Sequence, residues 1–140
     1  MSSLKLLRRY GTRAFGQAVA APFVLETVSG INALSETETS LYTVPTGEEV
    51  VVIGVVLRCT AASGITTAPK AGVGIAAGAD DIFTSQRCYG LLADGDEFQF
   101  PQGGIRRIAD AGEEIKLGID EAAVGTSMTL AADVLGYGAV

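Results

Sequence analysis

The sequence predicts an all-β fold: an antiparallel sandwich of the jelly-roll kind, led by an extended N-terminal arm. Three observations carry this. Short apolar or alternating runs succeed one another, with turn residues between them at intervals of about 8–12 residues. No long amphipathic helical pattern interrupts them. Eighteen glycines and four prolines in 140 residues, with no tryptophan, favour many turns between short strands. The length is that of one domain, and such a domain buries roughly 68–70% of its unfolded surface without metal or disulfide staples.

Residues 1–22 read as a basic arm and 23–140 as the sandwich body. Leu4, Leu7 and Tyr10 have the spacing of one side of a short helix, but Gly11 and Gly16 make an isolated helix marginal in water. Lys5-Leu-Leu-Arg-Arg9 ahead of Ala18-Val-Ala20 has the outline of a secretory signal, and Arg8-Arg9 that of a twin-arginine signal. Gly11, Thr12, Arg13, Gly16 and Gln17 stand where either needs an apolar stretch. The lack of acids fits a mitochondrial-type presequence better. The expectation is a retained arm, ordered because something holds it.

Pro22 punctuates the arm, and Phe23 to Val28 alternates as a first strand. Ser29 to Thr39 is polar and turn-like. Ser40 to Val44 is a strand, followed by Pro45-Thr-Gly47, with proline suited to the second position of a turn and glycine to a positive φ. Glu48 to Cys59 is the strongest strand. It carries Val50, Val51, Val52, Ile53, Val55, Val56 and Leu57, a β-branched density that disfavours helix and an apolarity that predicts burial on both faces. Gly54 in its middle is a candidate bulge.

Thr60 to Lys70 reads as a loop, Ala71 to Ala77 as a strand of small residues, and Gly78 to Asp81 as a turn. Ile82 to Ser85 and Cys88 to Leu92 are short strands. Asp94 to Glu97 has hairpin-turn chemistry. Phe98 and Phe100 alternate around Gln99, Pro101 to Gly104 turns, and Ile105 to Ile108 is short. Ile115, Leu117 and Ile119 share one face of a strand, as do Met128, Leu130, Ala132 and Val134 of the last one, which runs to Tyr137. The total is eight or nine strands.

The inventory excludes several chemistries. With no histidine, Ser-His-Asp and Cys-His mechanisms, His-ligated zinc and a His proton shuttle are absent, and a metal-dependent cupin is disfavoured. Cys59 and Cys88 have no C-x-x-C spacing and read as two small buried hydrophobes with free thiols; a Cys59–Cys88 disulfide is the alternative. No apolar run approaches the roughly 18–20 residues of a membrane span, so no membrane partner is expected.

Charge is split along the chain. Residues 1–25 hold Lys5, Arg8, Arg9 and Arg13 and no acid, a net +4, against −10 for the remainder and −6 overall. A net-acidic body repels phosphates, which argues against nucleic acid as a partner. The basic arm is the candidate partner-binding segment, suited to an acidic protein surface, a neighbouring copy or nucleic acid. Arg106 and Arg107 form a second candidate interface, because Arg pairs bidentately with carboxylates.

Other constellations have plainer readings. Gly72-Val-Gly-Ile-Ala-Ala-Gly78 misses the dinucleotide fingerprint by one position and lacks a βαβ unit, so it reads as a glycine-rich strand. Asp94, Asp96 and Glu97, or Asp80 and Asp81, offer oxygen ligands for Ca²⁺, without an EF-hand pattern; solvated turns are the default. The pairs Glu48/Glu49 and Glu113/Glu114 cannot flank one glycosidic bond, because neighbours in a strand point to opposite faces. Tyr42 and Tyr137 read as core or rim aromatics. No nucleophile stands beside a base, so a non-enzymatic protein without cofactor or metal is expected.

Leu41-Tyr-Thr-Val-Pro-Thr-Gly-Glu-Glu-Val-Val-Val-Ile53 resembles the first body strands of small jelly-roll structural proteins of tailed bacteriophages, in which an L-Y-T-V-P-x-G turn precedes a hydrophobic strand. Ala132-Asp-Val-Leu-Gly-Tyr137 is similar to the V-D-V-x-G-Y ending of that group, with Ala132 in place of the first valine. The resemblance implies a virion component assembled in the host bacterial cytoplasm. It further implies a homotrimer that decorates or cements the head by binding the major capsid protein or another virion protein. It carries over no catalytic residue. A neck, tail or fibre-base component, and a carbohydrate- or ligand-binding sandwich module, are the alternative readings.

Overall fold

The computed structural model describes residues 23–100 and 107–139. They form nine strands: β1 Phe23–Asn32, β2 Glu38–Thr43, β3 Glu49–Ser63, β4 Lys70–Gly74, β5 Phe83–Arg87, β6 Glu97–Phe100, β7 Arg107–Ala109, β8 Glu114–Glu121 and β9 Ser127–Ala139. The first sheet has the order β1-β9-β3-β6, with β7 also pairing β3; the second is β2-β8-β4-β5. All pairings are antiparallel.

The pairings along the ribbon follow one rule, and β3–β9 and β4–β8 pairings then join its folded halves side by side within each sheet. First meets last (β1 with β9), then β2 meets β8, β3 meets β6 and β7, and β4 meets β5. This is one long antiparallel ribbon folded over itself into two sheets, which is the jelly roll. Among the described residues, only β4 and β5 form a hairpin between sequence neighbours within a sheet. The Asp94-Gly95 turn, for all its hairpin chemistry, carries the chain from the second sheet to the first. The arm residues 1–22 lie outside the described residues.

β3 organises the body. Val50, Val52, Val55, Leu57 and Cys59 face the core. The inward phase shifts between Val52 and Val55, where the register with β9 slips between Val52 and Gly54. Gly54 is required there: a Cβ would stand 2.8 Å from the Phe100 carbonyl oxygen. From β8, Ile115, Leu117 and Ile119 meet this row, and Met128, Leu130, Ala132 and Val134 of β9 complete it. The ring of Phe100 stacks on Phe83 at 6.1 Å and meets Phe98 edge-on at 5.1 Å, joining the two sheets at their β5 and β6 edges.

Several boundaries differ from the sequence expectation. β1 continues through Asn32, because Ile31 is buried opposite Leu130. β3 runs past Cys59 to Ser63, paired with Ser127 of the long last strand. β4 stops at Gly74, where the Asp81 carboxylate accepts hydrogen bonds from the Ile75 and Ala76 N–H groups at 2.7 and 3.2 Å and turns the chain. Pro45 takes the first turn position, accepting from the Glu48 N–H, while Gly47 has the expected positive φ of 79°. The expected strand Cys88–Leu92 is a turn: the Leu91 N–H reaches back to the Cys88 carbonyl, and Gly90 adopts φ 89°.

Candidate functional site

Most residues singled out from sequence have structural duties. Asp96 accepts from the Leu92 and Ala93 N–H groups and fixes the turn before β6. Glu113 accepts from the Asp110 N–H. Gly72 and Gly74 of β4 and Gly118 of β8 form a depression on the outer face of the second sheet, and the segment between β4 and β5 lies in it. A Cβ on Gly72 would meet the Ala79 carbonyl oxygen at 2.9 Å, and one on Gly118 the Gly78 carbonyl oxygen at 2.9 Å. The glycine run thus receives backbone. Among the described residues no three His, Cys, Asp or Glu side chains gather as a metal site. No polar or charged residue among them is buried.

Cys59 and Cys88 are free, buried thiols. Burial pushes the Cys88 thiol up to about 12 and raises Cys59 as well, so neither is a ready nucleophile. Tyr42 packs against the core, and Tyr137 is buried. Arg107 opens β7 with its backbone opposite Val52. Arg106 and the arm residues Lys5, Arg8, Arg9 and Arg13 fall outside the described residues.

Two surfaces carry half-buried or exposed apolar side chains. The first is the outer face of the first sheet. Val51 and Val56 are half-buried between fully buried neighbours, with Ile53 at the bulge between them. Leu135 is half-buried beside Val24, which is 50% exposed. A polar group borders this patch. Arg58 donates to both carboxylate oxygens of Asp133 at 3.1 and 3.2 Å, and the Thr27 hydroxyl donates to the same carboxylate at 2.7 Å. Burial raises the Asp133 pKa, but the bonds from Arg58 and Thr27 outweigh it and hold the carboxyl below its ordinary range.

The second surface is one end of the sandwich, where the connections 64–69, 88–96 and 122–126 meet. The Thr66 N–H donates to the Val124 carbonyl, the Val124 N–H to the Thr67 carbonyl, and the Cys88 N–H to the Pro69 carbonyl. Tyr89 (80% exposed), Val124 (55%) and Leu92 (41%) stand on these connections. Tyr89 sits between Cys88 and Leu91, both fully buried, so the turn is anchored while the ring is held in solvent. Beneath it, the Arg87 guanidinium donates to the Ala68 carbonyl at 2.9 Å and to Glu121 at 2.8 Å. Sequence reasoning passed over Tyr89. Its signal was a Tyr-Gly step beside a buried cysteine, which reads as a strand until the positive φ is seen.

No family model matches the chain, and no curated protein matches its sequence. Among solved structures, the chain is similar to one from the acid-stable capsid of Helicobacter pylori bacteriophage KHP30. The TM-score is 0.52 at 14% identity, over 84% of this chain and 91% of that one. It is also similar to a chain of the capsid asymmetric unit of cyanophage Pam1, with TM-score 0.50 and 15% identity over 80% of each chain. At such identity the likeness is one of fold: the jelly-roll body described here is one that chains of two phage capsids also adopt.

Proposed function

We propose that this chain is a non-enzymatic structural protein of a bacteriophage virion, a decoration or cementing protein that binds the assembled head as a homotrimer. The observation that carries this is the shared fold with two phage-capsid chains, over four-fifths or more of every chain concerned. The L-Y-T-V-P-T-G turn and the A-D-V-L-G-Y ending support the same assignment; the first spans the end of β2 and the β2–β3 connection, and the second lies within β9.

The mechanism is mass action. A protein that binds the closed shell and not the free subunit stabilises the shell by its binding free energy. The half-buried row on β3 and β9 supplies apolar contact area between protomers, since closed symmetric assembly is the usual cover for such a face. Residues 1–22, with their net +4, reach an acidic surface of a neighbour; fully extended they span on the order of 70 Å. Free thiols at Cys59 and Cys88 suit assembly in a reducing bacterial cytoplasm.

The test is copy number by quantitative mass spectrometry of purified virions, together with sedimentation velocity of the isolated chain. A copy number on the scale of the shell subunit, and a trimer in solution, are the expected results. A copy number on the scale of a single ring moves the chain to the neck or tail. Absence from the particle defeats the virion assignment, and a stable monomer at micromolar concentration defeats the pre-formed trimer.

A further inference from the structure

We propose that Tyr89 and the hollows on its two sides form a binding ridge for a neutral, hydroxyl-rich oligosaccharide. This is a function separate from attachment to a shell, and it does not rest on that assignment.

The geometry is that of a raised aromatic ring between two open depressions. One, of about 380 Å³, lies between the β5 and β6 edges and is lined by Gln86, Arg87, Glu97, Phe98 and Gln99 together with Tyr89. The other, of about 210 Å³, lies between Tyr89 and the 64–69 connection, with Thr66, Thr67 and Leu92 in its wall. The first lies a little above and the second below the lower size limit of small-molecule clefts, about 300 Å³, so each suits a single ring of a chain-like ligand rather than a bulky whole ligand. Tyr89 lines both, so a ligand that fills the two crosses the tyrosine.

The chemistry selects the ligand. A sugar ring has a face of polarised C–H bonds and a rim of hydroxyls. An exposed tyrosine offers a negatively polarised π-face to the first. For the rim, the Gln86 and Gln99 amides and the Thr67 hydroxyl can each both donate and accept, the Thr66 hydroxyl, which donates to the Val124 carbonyl at 3.4 Å, can accept, Glu97 accepts and Arg87 donates. Arg87 is held by the Ala68 carbonyl and Glu121, and Lys70 lies 3.6 Å from Asp120 and 3.7 Å from Glu121, so the two cations face two carboxylates. With Glu97 on the opposite wall, the hollow has no surplus positive charge for an anionic sugar. Tyr and Arg are also common at protein–protein contacts, but two small hollows split by one ring and walled by Gln86, Gln99, Thr66 and Thr67 suit a chain of small polar rings better than a continuous protein surface. The site is also pre-organised: the buried Cys88 and Leu91 fix the turn that carries the ring.

The experiment titrates the full chain with maltohexaose, laminarihexaose, chitohexaose and a dextran fragment, reading affinity by calorimetry and backbone amide shifts by NMR. The expected result is binding of at least one probe, with shifts confined to residues 66–68, 86–92 and 97–99. Tyr89→Ala should weaken it at least tenfold, Tyr89→Phe by no more than about threefold, and Gln99→Ala by several-fold. Tyr89 and Gln99 are exposed, so these variants keep the fold, and unchanged shifts elsewhere in the body verify it. Three outcomes overturn the proposal: no probe binds, binding survives Tyr89→Ala, or Tyr89→Ala abolishes attachment to virions while sugar binding is unchanged. The last assigns the ridge to a protein. Failure here leaves the copy-number test untouched, so the two proposals stand or fall separately.

Discussion

The two outer faces of the sandwich are finished differently. On the second sheet, Gly72, Gly74 and Gly118 make a depression, and the chain fills it with its own β4–β5 connection. Ala79 is fully buried there at a positive φ of 46°, an uncommon conformation for a residue with a Cβ. The rest of that face is charged: Lys116 meets Glu38 at 3.2 Å, and Lys70 lies 3.6 Å from Asp120. On the first sheet the outward positions of β3 and β9 are Val51, Val56 and Leu135, half-buried, with the Arg58–Asp133 pair at their border. One face is closed by glycine and backbone within the chain; the other keeps β-branched side chains available. In the proposed assembly, this half-buried row is the surface on which a second protomer packs.

The largest effect separates the two sides of β3. Val55 is fully buried and Val56, its neighbour, points outward. Val55→Asp places a carboxylate in the core and should cost at least about 4 kcal/mol, enough to unfold a typical domain or nearly so. Val56→Asp should cost about 1 kcal/mol or less in the isolated chain, yet abolish the proposed trimer and weaken the proposed attachment to the shell. Urea denaturation and sedimentation velocity read the two effects apart. If Val56→Asp leaves association unchanged, the outer face of the first sheet is not the interface.

A smaller effect tests the self-made cover of the second sheet. Gly118→Ala would bring a methyl group to 2.9 Å from the Gly78 carbonyl oxygen and 3.0 Å from the Ala79 Cβ. The segment between β4 and β5 must then lift, at a cost of about 1–3 kcal/mol. Limited proteolysis should detect new cleavage between residues 75 and 82, with association unaffected. Loss of the proposed trimer in this variant would mean that the second sheet, not the first, carries the contact.

Much of this organisation was legible in the sequence, and for identifiable reasons. The strict alternation of Ile115, Leu117 and Ile119 and the density of Val50–Leu57 specified strands, because period and β-branching act locally. Gly54 was legible as a bulge because a glycine inside an apolar strand has few other uses. What escaped was decided by distant backbone. Gly72 and Gly118 are glycines because residues 78–79 lie against them, and no local pattern encodes that approach. The Asp94-Gly95 turn joins different sheets because the ribbon folds over, a fact of topology rather than of turn chemistry. Tyr89 escaped for the opposite reason: its neighbours Cys88 and Leu91 are so well buried that the run reads as a strand, and only the turn at Gly90 reveals the exposed ring.

The smallest effect concerns the polar border of the apolar face, and its sign follows from linkage. Asp133 is held below the usual carboxylate range in the folded chain by Arg58 and Thr27, against the opposing effect of burial. Its unfolded value is about 3.9. The folded state therefore binds fewer protons than the unfolded state between those two values, and the ionised carboxylate contributes stability that is complete above about pH 5. That contribution disappears as pH falls through the folded value. Asp133→Asn removes it at every pH, leaving Arg58 without its bidentate partner. The urea midpoint of the variant should fall below that of the wild type at pH 7, and the two should converge as pH is lowered toward 2. Glu38 is also held low, by the Gly78 N–H and by Lys116, and so contributes to the acid response of both proteins; a Glu38→Gln background isolates Asp133. A gap that stays constant from pH 7 to pH 2 would show that Asp133 acts through shape and not through its charge. The border of the face would then be a packing element rather than an ion pair.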